Sequence, residues 1–474
     1  MERLKGIDAT FLYMETPSNH MHVGMLWVLK KPADIGTGYF AAVRSLIESR
    51  LHLSKTYRRR LIPVPLDIDH PIWIEDPDFD LDFHLRHIAV PPPGDRHKLL
   101  ELVARLHSRA LDRTKPLWEM YVIEGLPDDQ VALYIKIHHC CIDGISGTEM
   151  MVSLLDFSPE PREVPPPDKP WVPERAPTDA EILMRASVRG IVTPLRSLRR
   201  LPRVVAAGVA FGRRALARRE PVPTAPFQAP RTPFNRALTP HRRYAVGEVS
   251  LDRVKALRKA TGATVNDIVL AMCAGALRRY LDHAGELPDK PLLAVCPVSV
   301  RAEGTDSGAS NAVSAMFVSL ATDISDPLER LAAIRASTVD AKEAHKALPA
   351  NALTDWSAFA APLVAAQAAR LYSRYKVADL HRPPYNVIIS NVPGPPFALY
   401  LAGAELLHSY PISLAVEGIG LNITIMSYRS EIAIGLTADR EAVPDIEFMM
   451  SLMPDALAEL EAALERAQKP AKSA

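Results

Sequence analysis

Four cysteines in 474 residues, Cys140, Cys141, Cys273 and Cys296, are too few for the disulfide framework of a secreted protein. The adjacent pair could bridge only with strain, so the thiol content fits a reducing cytoplasm. A second scarcity is the long apolar run: no stretch of about 18 apolar residues occurs, which argues against a membrane-spanning helix. The N-terminus likewise lacks a basic region followed by an apolar run and a small-residue cleavage site, so no secretory signal is expected. Net charge is almost absent, at +1, which removes any global pull toward nucleic acid or an acidic partner and leaves only local recognition. No Gly-x-Ser-x-Gly elbow is evident, which disfavours a covalent acyl-serine. No spaced Cys/His ligand set points to zinc.

What is present begins with apolar residues, 48% of the chain, enough for more than one core at this length. Residues 1–158 read as a first lobe. Phe40 to Leu51 has helical spacing and Leu81 to Val90 is strand-like. Asp95 to Leu111 predicts an amphipathic helix ending before Pro116, and Trp118 to Ile123 a strand. From Ser158 the composition shifts to SPEPREVPPPDKPWVPER, too rich in proline for a helix or central strand, so 159–230 reads as an interdomain segment. The second lobe, 231–474, predicts helices over Asp252 to Ala260, Val265 to Leu281, Asp326 to Ala347 and Pro349 to Tyr375. Strands are expected over Leu292 to Val300, Ala312 to Ala321, Asn386 to Ser390, Leu421 to Tyr428 and Glu431 to Leu436. The class is α/β, with two sandwich lobes.

Within the connecting segment, 181–219 carries ten arginines, Arg185 to Arg219, interleaved with Ile182, Leu195, Val205 and Phe211. Basic and apolar residues at helical intervals suit a helix on an anionic lipid surface. They suit equally a solvated connector packed on its own protein. Few aromatic residues accompany the arginines, which disfavours nucleic acid as the partner.

The most informative stretch is VALYIKIHHCCIDGISG, Val131 to Gly147. Val131, Leu133, Ile135 and Ile137 alternate with Ala132, Tyr134 and Lys136, the pattern of a strand with one buried face, hairpin-paired to Trp118–Ile123 across Pro127-Asp128-Asp129. Carried forward, that parity puts His139 on the apolar side and His138 on the other. Neighbouring strand histidines point to opposite faces and cannot easily share a metal ion. What stays open is a base with its supporting turn at Asp143-Gly144, or a core histidine beside a polar one.

HHCCIDG has the form His-His-x-x-x-Asp-Gly and resembles the active-site motif of the acyl-CoA-dependent acyltransferase and condensation-enzyme superfamily. Further blocks narrow the resemblance: GIDATFLYMETPSNHMHVG at the start, PLWEMYVIEGL at Pro116, TVNDIVLAMCAGALRRYL at Thr264, PVSVR at Pro297, NVIISNVPGP at Asn386 and LNITIMSYRSEIAIGL at Leu421. Together they are similar to the bacterial wax ester synthase/diacylglycerol acyltransferase family. That likeness implies a two-lobed chloramphenicol acetyltransferase-like fold with mixed sheets, flanking helices and a tunnel between the lobes. It implies transfer of a long-chain acyl group from acyl-CoA to a fatty alcohol or a diacylglycerol, directly and without an acyl-enzyme. His139 would be the general base, His138 its support, and Asp143 a structural brace paired with Arg301 from the other half. Gly144, Ser390 and Asn391 would meet substrate.

Asn266 has two readings, an amide that orients substrate or stabilises the oxyanion, and part of a helix start. Pro393-Gly394 reads as a packing turn in a crossover loop, Pro116-Leu117-Trp118 as strand-start packing, and His20 and His22 as candidate tunnel lining. No cofactor or metal is expected, with acyl-CoA as a substrate. The expected location is the cytoplasm, with peripheral contact at the inner membrane face or a lipid droplet. Two alternatives remain: the same fold with another acceptor, such as a polyketide hydroxyl, an amine or a carrier-bound group, and a non-catalytic coat for lipid droplets.

Overall fold

The computed structural model describes residues 2–33, 35–141, 153–185, 227–299, 313–346 and 362–468. In the N-terminal half, β1 (Glu2–Arg3), α1 (Gly6–Met14), β2 (His22–Lys30) and α2 (Tyr39–Arg50) lead into the short strands β3 (Arg59–Ile62) and β4 (Ile72–Glu75). There follow α3 (Leu81–His84), β5 (Leu85–Ala89), α4 (Arg96–His107), β6 (Trp118–Glu124) and β7 (Gln130–His138). The C-terminal half opens with β8 (Arg242–Ser250), α5 (Leu251–Thr261), α6 (Val265–His283), β9 (Leu293–Ser299) and β10 (Val313–Ser319). It continues through α7 (Pro327–Lys346), α8 (Pro362–Arg374) and β11 (Val387–Val392) to β12 (Tyr400–Leu401) and β13 (Ala404–Ile412). The hairpin β14 (Leu421–Tyr428) and β15 (Glu431–Asp439) precedes the closing helix α9 (Ile446–Gln468).

Local chemistry explains most of these limits. Asp128 and Asp129 both take φ of 55°, the left-handed pair that a tight hairpin between right-twisted strands requires, and β6 and β7 pair across it. Asp95 caps α4 by accepting the Lys98 N–H at 2.8 Å. Gly262, at φ 68°, ends α5 and turns the chain into α6. Over Leu81 to Val90, expected as one strand, the first four residues instead form a helical turn, because the Asp80 carboxylate accepts the Asp82 N–H at 2.9 Å.

Two six-stranded mixed sheets result, ordered β12-β13-β2-β7-β6-β5 and β10-β9-β11-β14-β15-β8. The first contains strands from both halves of the chain. After Val392 the backbone leaves the second sheet through Pro393–Pro396 and enters the first as β12 and β13, with β13 antiparallel to β2. It then returns as β14. Residues 404–412 were not expected as a strand, and they include Pro411. The proline is accommodated because β12 pairs only with Glu405 and Ala404, so no neighbour on that side requires its missing N–H.

The histidine strand is buried on both faces, not on one as the alternation suggested. Val131, Leu133, Ile135 and Ile137 join a core with α1 and α2, while Ala132 and Tyr134 join another formed by α4, Tyr244 and Val246 of β8, and Tyr410 of β13. Lys136, the polar member of the second face, is fully buried. It lies directly across from Glu119, with Nζ 2.9 Å from the carboxylate and further bonds to the Leu106 and Arg109 carbonyls. The two sheets meet closely here: a Cβ on Gly435 of β15 would lie 1.9 Å from the Pro411 carbonyl oxygen of β13. Gly435→Ala should therefore force the strands apart and lower unfolding free energy by about 1–3 kcal/mol in a denaturant titration.

Candidate active site

The last hydrogen-bonded rung of β7 sets the two histidines apart. His138 lies opposite His22 of β2, and its N–H bonds the Leu117 carbonyl at 2.9 Å. The chain then folds into a 3-10 turn, His139–Cys141, pinned by the His139 N–H on the Met21 carbonyl at 2.9 Å. Strand parity consequently ends at His138.

The His138 ring is buried, with Nδ1 accepting the Cys140 N–H at 3.1 Å. That contact makes Nε2 the protonated nitrogen, and it faces the Glu15 carboxylate at 3.4 Å. Burial pushes the Glu15 carboxyl up, but His138 and Arg113, whose Nε is 2.8 Å away, outweigh it and hold the group below the usual carboxylate range. Desolvation lowers the His138 pKa despite the carboxylate. A neutral imidazole therefore ties α1 to the turn that carries His139. Glu15 and Arg113 are partners of this ring that sequence alone did not identify.

His139 remains partly exposed. Phe11 of α1 covers one face of its ring, with centroids 3.9 Å apart and planes 20° from parallel. Nδ1 is buried and meets no other residue among those described. Desolvation brings the ring to a pKa of about 4, opposed by a bond to its own backbone. With Nδ1 enclosed, Nε2 is the ring nitrogen open to substrate. The sign for catalysis follows: with a depressed pKa the base form persists as pH falls and is lost only near 4. The rate kcat/KM should be flat from neutral pH down to about 5. A half-maximum near 6.5 would mark a different titrating group.

Neighbouring residues sort into chemistry and support. Cys140 and Cys141 are buried, and burial pushes the Cys140 thiol well up, so Cys140 offers no thiolate beside the base. Trp118 is fully buried and donates its indole N–H to the Tyr57 carbonyl at 3.0 Å, the packing role expected for Pro116-Leu117-Trp118. His20 and His22 do not merely line a surface: each places Nε2 on a carbonyl at the C-terminus of α4, Ser108 at 3.1 Å and His107 at 2.6 Å.

Arg50, 1% exposed, binds both Asp156 carboxylate oxygens at 2.9 and 2.8 Å and also reaches the Ser153 and Leu154 carbonyls. That brace anchors the backbone returning from the histidine motif, and sequence alone gave no sign of it.

On the second sheet, Thr264 caps α6 by accepting the Asp267 N–H at 3.1 Å, while Asp267 accepts the Thr264 N–H at 2.9 Å and the Thr338 hydroxyl at 2.9 Å. Asp267 is thus committed to structure. Asn266 is not the cap, and its Oδ1 accepts from Asn391 Nδ2 at 3.4 Å, which leaves its own amide N–H groups for other partners. Ser390 lies partly exposed on β11 beside Thr424 of β14. The Gly394 N–H bonds Ser427 Oγ at 3.0 Å, and a Cβ there would sit 2.0 Å from the Ser427 carbonyl oxygen, so this turn packs as expected. Asp143, Gly144, Arg301 and the arginine-rich stretch beyond Arg185 lie outside the described residues. Among the described residues no single helix is long and apolar enough to cross a membrane. The pair α5 and α6 passes only across a 106° bend, with most of α6 in the core.

Two mixed sheets sharing strands across a crossover, with a histidine at the end of the central strand pair, define the chloramphenicol acetyltransferase-like fold. The starter condensation domain of rhizomide synthetase shares it, at TM-score 0.53 and 11% identity over 100% of this chain and 96% of that one. A wax ester synthase/diacylglycerol acyltransferase from Marinobacter aquaeolei VT8 is much nearer, at TM-score 0.71 and 31% identity over 98% and 100% of the two chains.

Residues 4–269 match the wax ester synthase/diacylglycerol acyltransferase catalytic domain and residues 309–461 the C-terminal domain that accompanies it. A Mycobacterium tuberculosis relative provisionally named diacylglycerol O-acyltransferase tgs2 is 35% identical over 471 residues, 98% of this chain and 100% of its own. The chain belongs to the wax ester synthase/diacylglycerol acyltransferase family and is an O-acyltransferase.

Proposed function

We propose that the protein moves a long-chain acyl group from acyl-CoA to the hydroxyl of a fatty alcohol or a diacylglycerol, with His139 Nε2 as the base. Nε2 takes the hydroxyl proton as the oxygen attacks the thioester carbonyl. The C–S bond then breaks, and the departing thiolate collects the proton from the imidazolium, giving ester and free coenzyme A. The balance closes without a resident cofactor or metal.

The observation that carries this reading is the state of His139: neutral, held by Phe11 on one face, and accessible in part. A positioned base of this kind contributes about 10²–10⁴ in rate. The free amide N–H groups of Asn266 suit the oxyanion or the acceptor, and Ser390, Asn391 and Gly144 the walls around them. Asp143 with Arg301 would brace the loop. Purified protein with palmitoyl-CoA, offered hexadecanol and dioleoylglycerol in separate reactions, tests the assignment. One ester should form per thiol released with at least one acceptor, whereas thiol release that ignores both would mark a hydrolase.

A further inference from the structure

Among the described residues the C-terminal part of α8 has an uncovered face. Arg370, Leu371, Arg374 and Tyr375 are all exposed, Leu371 by 48% and Tyr375 by 64%. Positions i, i+1, i+4 and i+5 share one side of a helix, so two cations and two large apolar groups stand together. Lys376 and Leu380, the latter 79% exposed, extend the strip past the helix end. Against α8 lies the turn Pro65–Asp67, which presents Leu66 at 79% exposure, followed by Ile68 at 49%. Leu66 is held there at φ 62°, a backbone conformation unfavourable for any residue but glycine.

Charge tells what this strip would meet. Among the described residues Arg370, Arg374 and Lys376 form no ion pair, and the neighbouring acid Asp379 is engaged elsewhere, accepting the Ala237 N–H at 2.8 Å. Two exposed carboxylates, Asp67 and Asp379, stand against the three cations, and the exposed Arg382 adds a fourth positive charge nearby. Apolar side chains beside a net excess of positive charge complement a surface that is negative outside and hydrocarbon beneath. Both elements also lie near the chemistry, since α8 packs on α1, the helix whose Phe11 covers His139.

We propose that this face docks on an anionic phospholipid membrane. Leu66, Ile68, Leu371 and Leu380 enter the acyl boundary, Tyr375 sits at headgroup depth, and Arg370, Arg374 and Lys376 bind phosphates. Membrane-dissolved acceptors would thereby be delivered beside α1.

The test is cosedimentation of the full chain with phosphatidylcholine vesicles, with and without one-third phosphatidylglycerol. Wild type should bind the anionic vesicles and be released by salt. R370Q/R374Q/K376Q should lose binding on the order of 100-fold, at roughly 1 kcal/mol per charge. L66S/I68S and L371S/Y375S should each lose at least about tenfold. Turnover of short, water-soluble acyl-CoA and alcohol pairs should be unchanged in all three, which keeps this result separable from failure of the acyltransferase reading. Binding by the variants equal to wild type would overturn the proposal. So would loss of binding in R196Q/R199Q/R200Q/R203Q while the α8 and Leu66 variants bind normally.

Discussion

His139→Ala should lower kcat for ester formation by about 10²–10⁴ while leaving the unfolding midpoint close to wild type. The size follows from what the ring does: proton removal from an alcohol is the step that makes its oxygen nucleophilic, and the described residues place no substitute base at that position. Cys140 is held as a thiol by burial, and the buried His138 accepts the Cys140 N–H at Nδ1 and turns Nε2 toward Glu15. Stability should survive because His139 is partly exposed and its main side-chain contact is a stack with Phe11. Ester formation by the alanine variant at the wild-type rate would remove His139 from the mechanism. A large fall in midpoint would show that the imidazole is structural.

The second large effect is on stability. Asp156→Ala should lower unfolding free energy by about 3–5 kcal/mol, because it leaves the Arg50 guanidinium buried against carbonyls alone. Arg50→Met combined with Asp156→Leu removes both charges, and should be less destabilised than Asp156→Ala, since desolvating an unpaired ion is the dominant cost. Urea unfolding of the three proteins checks the order. Because Asp156 secures the chain returning from the histidine motif, activity should fall in Asp156→Ala even under conditions where it remains folded. Full activity and stability in the single variant would show that Arg162, 3.1 Å from the same carboxylate, does not need it.

Much of this architecture could be read along the chain where local rules govern. The alternation in Val131–Ile137 and the paired aspartates gave the β6–β7 hairpin, and Thr264 with Asp267 gave the start of α6. What escaped is non-local. Lys136 looks like a solvent-facing residue until Glu119 is placed across from it and α4 above it. Glu15 is more than a hundred positions from His138 and becomes its partner only when α1 folds over the end of β7. Residues 404–412 are a strand because β2 offers an unpaired edge, and no periodicity in their own letters says so. His139 was singled out by resemblance, while strand parity, which stops at His138, did not place it; its cover by Phe11 and the source of its low pKa depend on the folded turn.

Whether the acyl group passes directly to the acceptor is the centre of the account, and rapid-quench measurement of coenzyme A release tests it most directly. With enzyme and palmitoyl-CoA alone, no stoichiometric burst of free thiol should appear, and release should begin when alcohol is added. A burst of one thiol per enzyme before any acceptor is present, with the acyl chain recovered on the protein, would contradict it.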